Sequence, residues 1–140
     1  MIDVKLIEPR IWKTMAADAH LSVFKEQWDA ELETIDFAML MVLQSSDTAV
    51  SYATVQEMDD KSVYLQYGGV FPDFKGTMIS YRSFHQMIER LKQDYKKITT
   101  FVENTNYSML KFYMKENFKI TGIRFFGDLT LLENNYESDH

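Results

Sequence analysis

The sequence predicts a mixed α/β (α+β) domain with a mostly antiparallel sheet of six to seven strands and about four flanking helices. Three observations predict it. Phe37 to Leu43 is an unbroken apolar run of strand length, the pattern of a strand buried on both faces. Tyr81, Phe84, Ile88, Leu91 and Tyr95 recur at alternating three- and four-residue steps, a helical stripe. The stretch Ser62 to Asn117 reads strand, loop, helix, strand, helix, a β-α-β-α unit.

In chain order, Ile2, Val4 and Leu6 alternate with Asp3 and Lys5 in a first strand that Glu8-Pro9 ends. Trp12, Met15, Leu21 and Phe24, then Trp28 and Leu32, give helical spacing with a break near Lys25, one broken helix or two short ones over Pro9–Glu33. The Phe37 to Gln44 strand turns at Ser45-Ser46-Asp47 into a third strand, Thr48 to Met58, and Asp59-Asp60-Lys61 turns into a fourth, Ser62 to Phe71. Gly68-Gly69 inside that strand marks a bulge or a close backbone approach. After the loop Pro72 to Lys75, a long helix is expected over Gly76 to Lys96, a strand over Ile98 to Glu103, and a short helix over Asn106 to Asn117. Asn117 occupies the position after that helix, where a left-handed residue is wanted. Lys119 to Phe126 and Leu129 to Leu132 form a closing hairpin across Gly127-Asp128. Residues 1–133 are expected to form one domain, and the polar stretch 134–140 a disordered tail.

Composition narrows the function. The apolar fraction of 46% fills a core. The absence of Cys removes disulfides, thiolate metal sites and Cys nucleophiles. His20, His85 and His140 have no metal-ligand spacing, so no metal is expected; His85 reads as a rim residue one step past the core stripe. A net charge of −6 argues against a broad nucleic-acid surface, including a DNA substrate. No apolar run is long enough to span a membrane and no signal peptide is visible, so the cytoplasm is the expected compartment.

Two stretches carry a resemblance. Val70-Phe71-Pro72-Asp73-Phe74-Lys75-Gly76-Thr77-Met78-Ile79-Ser80 is similar to the end of the fourth strand and the acyl-CoA loop of the GNAT superfamily of N-acyltransferases. Lys75 stands for the leading basic residue of that loop, while Met78 and Ser80 replace its two glycines. Asn106, Met109, Tyr113 and Asn117-Phe118 resemble the closing motif of the same family, with Met109 in place of Ala and Asn117 in place of Gly. The resemblance spans about Ile2 to Leu132.

It implies an acetyl-CoA-dependent N-acetyltransferase acting on an unspecified amine, with a second copy of the chain as a conceivable partner. Lys75, Gly76, Thr77, Met78 and Ser80 would meet the pyrophosphate at a helix start, and the Val70 backbone would polarise the thioester carbonyl. Asn106 would cap its helix and touch the cofactor, and Tyr113 would be the general acid. No general base is evident from the motifs; Glu57, near the third-strand turn, is the candidate. Gln66 and Tyr67 would line the acceptor side or be ordinary strand residues. The missing glycines and the unidentified base support a second possibility, a catalytically inactive module of the same fold used for binding or assembly.

Overall fold

The computed structural model describes residues 1–7 and 35–138. They form one seven-stranded sheet, ordered β1-β2-β3-β4-β5-β7-β6. The strands are β1 (Ile2–Ile7), β2 (Phe37–Leu43), β3 (Ala49–Glu57), β4 (Ser62–Val70), β5 (Lys97–Glu103), β6 (Lys119–Phe126) and β7 (Leu129–Glu137). Every neighbouring pair is antiparallel except β4 and β5, which run parallel because a helix carries the chain back between them. That helix, α1 (Met78–Asp94), follows a single 3-10 turn at Pro72–Phe74, and α2 (Tyr107–Lys115) joins β5 to β6. Among the described residues there are thus two α-helices rather than about four. The helices expected over Pro9–Glu33 lie outside the described residues.

The apolar run of β2 is buried on both faces, as its composition requires. Met39 and Met41 enter the main core with α1, while Ala38 joins Ile35 and Tyr52 in a smaller cluster on the opposite face. Helix α1 buries Phe84, Ile88 and Leu91, as the stripe predicts, and also Met87 and Ser83. Tyr81, at the start of the predicted stripe, is instead 40% exposed. The Ser83 hydroxyl donates to the Ser80 carbonyl at 2.8 Å and lies 2.7 Å from the Ser51 hydroxyl, so Ser51 supplies the proton between them. This buried pair fixes the first turns of α1 over β3.

The tail expected from Asn134 onward is strand through Glu137. Lys97 to Thr100 pair with Glu137 to Asn134, and the Ser138 amide donates to the Lys96 carbonyl at 2.8 Å. The stretch is polar because alternate residues face different surroundings: Asn134 is fully buried and Tyr136 packs against the core, while Asn135 and Glu137 lie on the other face.

Asn117 adopts the left-handed conformation expected of it, with φ 70. It completes a Schellman closure in which the Phe118 amide donates to the Tyr113 carbonyl at 2.9 Å and the Asn117 amide to the Met114 carbonyl at 3.1 Å.

Candidate active site

Strands β4 and β5 pair only from Ser62–Lys97 to Leu65–Thr100 and then diverge. The divergence begins where β4 carries an extra residue: Thr54 of β3 faces Tyr67 and Val55 faces Leu65, leaving Gln66 bulged between them. A cavity of about 220 Å³ occupies the wedge, lined by Gln66, Tyr67 and Gly68 from β4 and Thr100 to Glu103 from β5. Phe84 of α1, Asn106, Met109 and Tyr113 close it on the helix side.

The β4 wall presents backbone donors. The Phe71 amide donates to the Val50 carbonyl of β3 at 2.9 Å. Backbone groups alternate in direction along a strand, so the amides of Val70 and Gly68 point away from β3, toward the side vacated by β5. The bulge falls at Gln66 rather than at the glycine pair, and Gly68 permits a close approach. A Cβ on Gly68 would stand 3.0 Å from the Phe84 ring.

The mouth of the wedge lies at the C-terminal end of β4, which the turn at Pro72–Phe74 connects to the N-terminus of α1. Gly76 reverses the chain with φ 73, a conformation that disfavours any Cβ. Gly76→Ala is therefore expected to cost about 1–2 kcal/mol, read as a lower denaturation midpoint at unchanged slope. Thr77 caps the helix: its hydroxyl donates to the Phe74 carbonyl at 2.6 Å and accepts from the Ser80 amide at 3.2 Å. The Ser80 hydroxyl donates to the Thr77 carbonyl at 2.7 Å. Ser80 thus has both donors engaged within its own turn. The amides of Met78 and Ile79 meet no acceptor among the described residues, and the first turn holds no acidic side chain. The Met78 side chain is 69% exposed and takes no part in lining the wedge, so it does not plug the groove. Lys75 lies exposed in the same turn.

At the other wall, Asn106 caps α2 by accepting from the Met109 amide at 3.4 Å, and it borders the cavity. Tyr113 stands at the root of the wedge, buried, with Thr100 beside it in the lining. The Thr100 hydroxyl donates to the Leu65 carbonyl at 3.1 Å. Burial pushes the phenol well above its ordinary value of 10.0, against a smaller opposing effect from Thr100.

Glu57 is not part of this constellation. It pairs with Val63 at the closed end of the β3–β4 hairpin, four residues beyond Ala53, the partner of Gly68, or roughly 13 Å along the strand. Its carboxylate accepts from the Tyr95 hydroxyl at 2.8 Å, beside the C-terminus of α1. The carboxylate that does line the wedge is Glu103, at the last position of β5 and exposed. Sequence reasoning passed over it. The signal available was its place three residues before Asn106, at a strand end facing a helix start.

This parallel pair that splays beside a helix N-terminus, within a mixed seven-stranded sheet, is the fold of the GNAT N-acetyltransferases. The chain superposes over all of its length on 96% of a ribosomal-protein-alanine N-acetyltransferase from Escherichia coli, with a TM-score of 0.76 and 14% identity. An IAA acetyltransferase from Bacillus cereus matches 98% of the chain over 99% of its own, with a TM-score of 0.75 and 14% identity. A GNAT family acetyltransferase from Elizabethkingia anophelis, with acetyl-CoA bound, matches 97% over 97%, with a TM-score of 0.72 and 16% identity. No protein-family model matches the sequence, and no curated protein matches it. Among the described residues no helix is long and apolar enough to cross a membrane.

Proposed function

We propose that the chain is an N-acetyltransferase that moves an acetyl group from acetyl-CoA to an amine. The observation that carries this is the wedge itself. It is a slot between two parallel strands with backbone donors on one wall, a carboxylate on the other, and a phenol at its root. The amides of Val70 and Gly68 suit a thioester carbonyl oxygen that gains charge as the amine attacks. Glu103 accepts the proton the amine sheds as the new N–C bond forms. The C–S bond breaks toward Tyr113, whose hydroxyl donates to the departing sulfur. With its pKa raised above a thiol's value of about 8.5, Tyr113 hydrogen-bonds the thiolate more readily than it protonates it, and solvent completes the protonation. The free Met78 and Ile79 amides and the dipole of α1 favour a pyrophosphate at the mouth, with Lys75 as the nearby cation.

One observation favours the other reading, an inactive binding module. Ser80 spends both of its donors inside the helix cap, so the anion site is poorer than a glycine turn would make it. Thiol release from acetyl-CoA, followed against a panel of small amines, polyamines and peptide N-termini, separates the two. Turnover with at least one amine is expected. If acetyl-CoA binds but no acceptor class releases thiol, the module reading stands.

A further inference from the structure

Away from the wedge, three ligand-type side chains converge where α1 meets the end of α2. His85 and Glu89 are four residues apart on α1 and so share a face. Glu116, the residue that caps α2, points at them, and its Oε1 lies 2.6 Å from His85 Nδ1. One ligand atom from each of the three falls within 4.8 Å of the others. The Glu116 side chain is only 7% exposed, and the Schellman closure at Asn117 and Phe118 holds its backbone in place.

The cluster offers a cation one imidazole nitrogen and two carboxylates. Besides His85, the cationic side chain beside the two carboxylates among the described residues is Lys92. Its ammonium lies 3.8 Å from Glu89 Oε1, a loose pair. Lys92 otherwise donates to the Glu116 carbonyl at 2.8 Å, not to its carboxylate, and packs 4.5 Å from the centre of the Tyr136 ring. The Glu116 carboxylate is thus held by the His85 ring nitrogen, and Glu89 by Lys92 at the longer distance.

We propose that His85, Glu89 and Glu116 bind one divalent metal ion of the zinc class, clipping α1 to α2. An imidazole nitrogen with two carboxylates suits Zn²⁺ or Co²⁺ better than Mg²⁺ or Ca²⁺, which prefer oxygen alone. Bonds of about 2.0–2.2 Å draw ligand atoms to within about 3.3 Å of one another in a tetrahedral site. Rotation of the half-exposed Glu89 side chain supplies that contraction, and water completes the coordination. The ion would join the two helices that bring Phe84 and Tyr113 to the wedge, one residue before His85 and three before Glu116. The proposal does not depend on acetyl transfer.

The test is a calorimetric titration of the chelator-treated full chain with ZnCl₂, with MgCl₂ as control, alongside thermal melts. One equivalent of Zn²⁺ is expected to bind at micromolar or tighter affinity and to raise the midpoint, while Mg²⁺ does neither. His85→Ala and Glu89→Gln are each expected to weaken Zn²⁺ binding by about tenfold or more. Both positions are partly exposed, so a folding failure of one variant leaves the other to decide. Absence of stoichiometric Zn²⁺ binding, or binding that both variants leave unchanged and therefore lies elsewhere on the chain, overturns the proposal.

Discussion

Glu103→Gln is expected to lower turnover by about 10²–10⁴-fold, the usual contribution of a positioned base, while leaving acetyl-CoA affinity intact. Glu103 is the acidic side chain among the wedge-lining residues, and it sits on the wall opposite the Val70 and Gly68 amides. The amide of Gln keeps the shape but cannot take a proton from the amine. Because the carboxylate is exposed, the thermal midpoint should hold. The readout is kcat and KM with whichever amine turns over, beside the acetyl-CoA dissociation constant. A rate within twofold of the parent would remove Glu103 from the mechanism. Glu57→Gln serves as the comparison: that carboxylate bonds Tyr95 at the far end of the hairpin, and the substitution should leave the rate unchanged.

Tyr113→Phe should lower kcat by about 10–100-fold with little change in KM. The expected loss is smaller than for Glu103 because the raised phenol pKa makes Tyr113 a hydrogen-bond donor to the leaving thiolate, with solvent available as the proton source. The same hydroxyl has a separate signature in stability. Its folded-state pKa lies above the unfolded value, so the folded protein holds the proton more tightly. That contribution is fully present below the ordinary phenol value of 10.0 and is lost as pH rises above it, when the unfolded chain ionises first. The Phe variant has no proton to lose there. Its stability should decline less above pH 10.0 than that of the parent. Parallel decline of the two proteins in alkaline denaturation curves would show that the phenol is not sequestered as described.

The frame of the fold was legible because its signals are local. An apolar run buried on two faces, a three-four stripe and two hairpin turns each depend on neighbours a few residues away. What escaped depends on partners distant in sequence. Asn134 reads as a polar tail residue until Thr100 of β5 is set opposite it. Met87 falls between the marked positions of the stripe, yet it is fully buried under the sheet.

The site was legible in part for the same reason. Asn106, Tyr113 and the turn from Val70 to Ser80 carry spacing, and the structure brings Asn106 and Tyr113 to one cavity with the β4 wall. Glu57 and Glu103 carry none. One is taken to the closed end of a hairpin and the other to the open end of a splayed pair, and the bulge at Gln66 that opens the splay has no composition to announce it. The replacement of glycine by Met78 reads in sequence as an obstruction. In the structure its side chain turns to solvent, and the engaged donors of Ser80 are the larger departure.

The most direct test of the wedge as an acyl-CoA site is a calorimetric titration of the full chain with acetyl-CoA and, separately, with desulfo-CoA. Saturable binding of both at micromolar concentration, one ligand per chain, is predicted. No heat from either ligand at millimolar concentration would contradict the assignment and leave the fold serving as a binding module.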